Sequence, residues 1–196
     1  KIKELFFVPK AFKIIIAGVI LAVVATVTVI LISTSSSKKQ AEEIMASAVT
    51  LTEANFDAVT YFMIAQLPPK PESQFSYDDF PEGTVPCDAS VFANYNELKS
   101  FVENTYIPDE ASRILGMKVG ETPRYFEANG MLCKTIASPD LTYKKDFSNY
   151  TVKLVDYTKN SADVTVTVTE NGNKSELHLK MLKSEDGRWF LEKMVY

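Results

Sequence analysis

Hydrophobic positions along the chain follow three spacings in turn. From Ile14 to Ile32 they are continuous: IIIAGVILAVVATVTVILI carries no charge, no Pro and no Asn. Nineteen residues at about 1.5 Å each span roughly 28 Å as a helix, close to the ~30 Å hydrocarbon core of a bilayer. A core helix of a soluble domain keeps a polar face at 3.6-residue spacing, and this run has none. It predicts a transmembrane helix over 14–32. From Lys38 to about Leu67 apolar residues recur at three and four (Ile44, Met45, Ala48, Leu51, Phe56, Val59, Phe62, Met63), which predicts a long amphipathic helix. The stripe serves either as a core-packing face or as an oligomer seam, and its length favours the core. Pro68, Pro69 and Pro71 stop it.

Two short helices follow. Asn94 and Glu97 form a capping box ahead of Leu98, Phe101 and Val102. Pro108 opens the next as its first residue, with Asp109 and Glu110 in the first turn and Gly116 at the end. From residue 124 the period becomes two. Arg124–Ala128 and Met131–Ile136 flank Asn129-Gly130, a hairpin with a two-residue turn. Strands are predicted over 149–157, 161–170, 176–182 and 188–196. The clearest sets Ala162, Val164, Val166 and Val168 against Asp163, Thr165, Thr167 and Thr169. Short turns between alternating strands mean an antiparallel meander, and helices followed by sheet mean an α+β fold. The order is compatible with an NTF2-like or cystatin-like cone, an analogy of fold that says little about activity.

The organisation that follows is a cytoplasmic segment 1–13, a transmembrane helix 14–32, a Ser/Lys linker 33–39 and an extracytoplasmic α+β domain 40–196. The orientation rests on Lys1, Lys3, Lys10 and Lys13 ahead of the run, opposed by Lys38 and Lys39 after it. A cleaved signal peptide is the rival reading, but its apolar region is shorter, at ~7–15 residues. A chain opening on Lys implies an upstream segment. Residues 40–196 suffice for one domain with its own core.

Charge narrows the partners. From Gln40 to Gly130 there are 15 acidic and 5 basic residues; from Met131 to Tyr196, 9 and 10. An acidic first half argues against nucleic acid, and against close contact with an anionic membrane except at Lys38 and Lys39. It fits a basic partner, and equally an exported domain kept soluble by its charge. A disulfide between Cys87 and Cys133 and a pair of free buried thiols are both compatible with the sequence.

Catalytic chemistry finds little support. The single histidine, His178, falls on the polar side of a strand between Glu176 and Lys180. Asp78, Asp79 and Glu82 lack the ligand spacing of a calcium loop, and no glycine-rich phosphate loop is present. No catalytic residue, cofactor or metal site is expected. The irregular stretch between the proline stop and Ala93 is the candidate partner surface. It interleaves Phe75, Tyr77 and Phe80 with Asp78, Asp79 and Glu82, a mixture that suits protein binding. A solvated connector pinned by its aromatics reads the same way.

The run from Phe92 to Ile136 resembles the DL-endopeptidase inhibitor (IseA-like) family of Gram-positive bacteria. Glu97, Leu98 and Lys99, then Glu110 and Ala111, then Arg124, Tyr125, Glu127, Asn129, Gly130 and Leu132 match its helix and hairpin motifs. Ile107 stands where that family prefers Ser or Thr, and Cys133 where it has Tyr. The resemblance covers about a quarter of the chain. It implies a non-enzymatic protein that restrains cell-wall endopeptidases of the NlpC/P60 type, which the anchor at 14–32 would keep near the wall-membrane space. A structural module of an envelope complex and a small-ligand sensor are the alternatives.

Overall fold

The computed structural model describes residues 35–140, 147–170 and 172–196. The apolar run 14–32, and with it the predicted membrane helix, lies outside them. Among the described residues no helix is long and apolar enough to cross a membrane.

The fold is α+β. Helix α1, Ser35–Val59, continues through a π-helical turn, Thr60–Ile64. Helical backbone thus begins at Ser35, inside the stretch expected to be a linker up to residue 39. The π turn closes with Ala65 N–H donating to Thr60 O at 2.8 Å. Gln66 then adopts a left-handed φ of 61°, so the helix ends ahead of Leu67. The predicted stripe is a core face: Ile44, Met45, Ala48, Leu51, Phe56, Val59 and Phe62 are all buried in the central cluster. These side chains are spent on the domain itself, which removes them as an oligomer seam.

Helix α2, Tyr95–Thr105, starts with the expected box. Asn94 Oδ1 accepts from Glu97 N–H at 3.0 Å, and Glu97 Oε2 accepts from Ala93 N–H at 2.8 Å. Helix α3, Pro108–Leu115, has Pro at its start and buries Ala111 and Ile114. Among the described residues the strands, all antiparallel to their neighbours, form three sheets. Strands β1 (Thr84–Pro86), β4 (Tyr125–Ala128) and β5 (Met131–Thr135) make the first, in the order β1-β5-β4. Strands β2 (Lys118–Val119) and β3 (Thr122–Pro123) make a small ribbon. The meander is β6 (Tyr150–Tyr157), β7 (Ser161–Glu170), β8 (Asn173–Lys183) and β9 (Trp189–Leu191). The hairpin therefore does not extend the meander. It pairs with β1, which lies in the stretch expected to be irregular. The last strand is also shorter than predicted and stops at Leu191.

Alternation on β7 and β8 is as predicted. Ala162, Val164, Val166, Val168, Leu177, Leu179 and Met181 are buried, and the Thr/Lys/Glu face is wet. Helix α1 lies lengthwise along β6. Tyr157 Oη donates to Ser37 O at 3.2 Å near one end, and Tyr150 Oη donates to Glu53 Oε1 at 2.9 Å further along. Sixteen helical residues and seven strand residues both cover about 23–24 Å, so the two elements run side by side.

Beyond Leu191 the chain turns back over the helices as a strap. Asn55, fully buried on α1, donates to Val195 O at 2.7 Å and accepts from Val195 N–H and Tyr106 Oη, both at 3.0 Å. Met194 N–H donates to Glu110 Oε1 at 2.8 Å, and Arg113 clasps the same carboxylate at 2.6 and 2.7 Å. A side chain does the work of a ladder partner here, which is why the strand ends early. Burial opposes the charge on Glu110, but the Arg113 and Met194 hydrogen bonds outweigh it and hold its pKa below the usual carboxylate value. A depressed pKa stabilises the fold above the unfolded value, and that stabilisation is lost as pH falls through the folded one. Denaturant titrations from pH 6 to pH 3 are expected to lose less stability in Glu110→Gln than in the wild type, with the two curves converging in acid.

Candidate partner-binding face

The proline stop leaves a loop that stitches itself. Two 3-10 turns, Glu72–Gln74 and Tyr77–Asp79, close through Gln74 N–H to Pro71 O and Phe80 N–H to Tyr77 O. Phe75 packs edge-on against Tyr77 and Phe80, with ring centroids 5.0 and 5.9 Å apart. Phe80 is buried and anchors the loop, whereas Tyr77 remains 53% exposed. Tyr77 Oη donates to Glu72 Oε1 at 2.8 Å, and that hydrogen bond raises the phenol's pKa. Asp78, Asp79 and Glu82 are exposed and in no ion pair among the described residues.

The loop docks on the hairpin. Asn129 Nδ2 donates to Asp79 O at 2.7 Å and Ile136 N–H, just past the hairpin, donates to Gly83 O at 2.9 Å, while Thr84 Oγ1 closes the loop's own end on Pro81 O at 2.6 Å. Asn129 and Gly130 have φ of 51° and 71°, the left-handed pair that a two-residue turn of this kind requires. Two sets of residues singled out separately in the sequence, the acidic–aromatic loop and the hairpin motif, thus meet on one surface.

The remaining motif positions are mostly structural. Leu98 is core, and Glu97 is the cap already described. Tyr125 Oη donates to Tyr61 O and accepts from Leu67 N–H, both at 2.8 Å, while its ring meets Phe62 edge-on. Glu127 is exposed. Arg124 is half-buried, its Nε has no hydrogen-bond partner among the described residues, and burial lowers its pKa.

Beside the hairpin lies an open, mainly apolar groove of about 400 Å³, lined by Tyr95, Leu115, Lys118, Pro123, Phe126 and Glu127 among others. Sequence reasoning missed it, because its walls come from α2, α3, the β2–β3 ribbon and β4, and no single spacing announces such a meeting. Also missed were two buried polar anchors. Gln66 Nε2 donates to Thr135 O at 2.8 Å, and Lys134 Nζ donates to Leu67 O. Together with Tyr125 they fasten the end of α1 to the three-stranded sheet. Burial lowers the pKa of Lys134.

The cysteines are two free, buried thiols. Pro86 is the register partner of Cys133, and Cys87 is the next residue along. Successive residues of an extended chain point to opposite faces, so the two side chains leave the sheet on different sides and the thiols are not bonded to each other here. Cys87 belongs to the central core and Cys133 does not. Burial pushes the Cys87 thiol up to about 12 and also raises Cys133, which makes both poor nucleophiles. His178 is exposed, with Nδ1 3.3 Å from Thr165 Oγ1. Among the described residues no group of three or more His, Cys, Asp or Glu is gathered as a metal site. Comparison with known proteins finds no matching family model and no curated protein similar in sequence.

Proposed function

We propose that the chain is a membrane-tethered extracytoplasmic binding protein that restrains a cell-wall endopeptidase of the NlpC/P60 type, with the loop 72–82 as its contact surface. The observation that carries this reading is the loop itself. It is stitched by its own backbone and seated on the hairpin, yet it presents Tyr77 and three carboxylates that are in no ion pair among the described residues. A preorganised aromatic–acidic surface loses little entropy on binding and selects a basic partner. The choice of a cell-wall endopeptidase comes from the motif resemblance between Phe92 and Ile136, and the tether from the run 14–32. In this reading the N-terminus is cytoplasmic and the protein performs no reaction.

A photo-crosslinking residue at position 77, introduced into the full chain in native membranes, tests the contact. A hydrolase captured at 77, but not from a crosslinker at Thr167 on the wet face of β7, is the expected result. Capture of the same partners from both positions, or of copies of the chain alone, would count against it. The last outcome would favour the alternative, an NTF2-like or cystatin-like structural module.

A further inference from the structure

Among the described residues, the three-stranded sheet is covered along one edge and bare along the other. On the β1 side, Lys70 N–H donates to Pro86 O at 2.8 Å and Asp88 N–H to Pro68 O at 2.9 Å, so residues 68–70 lie along that strand. The bare edge is β4. Cys87 N–H donates to Leu132 O at 2.8 Å and Ile136 N–H to Gly83 O at 2.9 Å. Leu132 and, by the alternation of a ladder, Lys134 thus turn their backbone groups toward β1. Their register partners on β4 are Glu127 and Tyr125. The N–H and C=O groups of those two residues point away from β5, and none of the four has a hydrogen-bond partner there among the described residues.

The β2–β3 ribbon starts to cover this edge and stops short. Its register continues one step, with Arg124 N–H donating to Met117 O at 2.8 Å. The chain ahead of Met117 then belongs to α3: Met117 N–H goes to Ile114 O and Gly116 N–H to Ser112 O. Tyr125 and Glu127 are left facing the open groove of about 400 Å³ that Tyr95, Leu115 and Pro123 help to wall. The two ends of this groove differ in charge. Lys118 is level with Pro123, and Glu127 lies four residues further along, about 13 Å. At the hairpin end Glu127 is joined by Glu72, Asp78, Asp79 and Glu82 of the loop seated on Asn129, against Lys70, whose Nζ rests on Met131 Sδ. At the ribbon end Lys118 and Arg124 stand against Glu121. On the helices, Glu97 caps Ala93, Lys99 pairs with Glu103 and Arg113 with Glu110.

We propose that β4 takes an extended peptide segment of a partner as a further strand of this sheet, antiparallel to β4, with a basic residue opposite Glu127 and an apolar residue opposite Tyr125. An edge strand with unpaired backbone groups recognises an extended chain through its main chain, and the neighbouring side chains select the sequence. Antiparallel addition keeps the direction of β2 and puts the segment's N-terminal end at the acidic hairpin tip. The period of two brings both selected side chains to the face that Tyr125 and Glu127 share. There the apolar one enters the groove against Tyr95 and Leu115, and the basic one pairs with Glu127. Read from N to C, the segment is basic, any residue, apolar. This surface is distinct from the contact proposed for the loop 72–82 and does not rest on that reading.

The test titrates the full chain in detergent micelles with the peptide acetyl-Thr-Arg-Thr-Val-Thr-amide, following the backbone amides of Tyr125 and Glu127 by NMR. Saturable shifts at both amides are expected by millimolar peptide. Methylating the peptide's Arg and Val nitrogens removes the two donors that face β4 and should weaken binding about tenfold or more. Methylating the central Thr nitrogen, which faces away, should leave the affinity within about twofold. Glu127→Lys should weaken the Arg peptide about threefold or more and favour a peptide with Glu in place of Arg, with the rest of its amide spectrum unchanged to show that it is folded. No saturable shift at Tyr125 and Glu127, equal losses from the central and flanking methyl groups, or an Arg peptide that binds Glu127→Lys as tightly would each overturn the proposal. So would shifts at these amides that follow chain concentration without peptide, the mark of β4 pairing with a second copy.

Discussion

Replacing Asn55 with leucine is expected to destabilise the domain by about 3–4 kcal/mol, the largest effect anticipated for a single polar side chain in this molecule. Asn55 is fully buried and saturates three groups for which it is the hydrogen-bond partner among the described residues: Val195 N–H, Val195 C=O and the Tyr106 hydroxyl. Leucine has similar volume, so the loss is one of hydrogen bonding rather than of packing. Each group left buried and unpaired costs about 1–3 kcal/mol, reduced where the half-exposed Val195 can reach water. A domain of this size loses about 2–4 °C of Tm per kcal/mol, so the melting temperature should fall by roughly 10 °C. Tyr106→Phe removes only one of the three bonds and should cost about 1 kcal/mol. If the strap were incidental, the two variants would melt alike and the amides of Met194 and Val195 would exchange no faster in Asn55→Leu.

Tyr125→Phe is the second. The ring stays against Phe62, but Leu67 N–H loses its acceptor and Tyr61 C=O its donor, and Leu67 is 1% exposed. The expected cost is about 2–3 kcal/mol by denaturant unfolding, from one buried and one part-buried backbone group. The effect is on the joint between α1 and the three-stranded sheet, and so on the seat of the loop. Near-wild-type stability in Tyr125→Phe would mean that Gln66 and Lys134 hold the joint without the phenol.

Both effects involve contacts between residues more than fifty positions apart, and this marks what could be read from the sequence. Local signals sufficed where the cause was local. The stripe on α1, the Asn94–Glu97 cap, Pro108 at a helix start, the Asn129-Gly130 turn and the alternation on β7 are each set within a few residues. The π turn at Thr60–Ile64 was not legible, since its apolar spacing differs little from an α-helix. Strand β1 was not legible either: Thr-Val-Pro between a glycine and a cysteine has no strand pattern of its own and becomes a strand by pairing with β5. The last strand was over-extended because Met194 and Val195 keep a strand-like composition while Asn55 and Glu110 take their backbone groups. The cysteine pair was undecided until the register put the two residues out of phase.

The candidate face was legible in its parts and not in its assembly. Phe75, Tyr77 and the acidic residues stood out by composition, and the hairpin by its motif. That Asn129 would fasten one to the other follows only from the fold. The groove lined by Lys118, Phe126 and Glu127 had no sequence signal at all.

Under the proposed function, the protein restrains an endopeptidase through its loop. The direct measurement is the rate at which NlpC/P60 hydrolases cleave a peptidoglycan stem peptide, with and without the full chain in detergent or nanodiscs. The expected result is a dose-dependent fall in cleavage by at least one hydrolase, lost in the folded double variant F75A/Y77A. Unchanged cleavage across a panel of such hydrolases, or inhibition that survives loss of both aromatic rings, would contradict it.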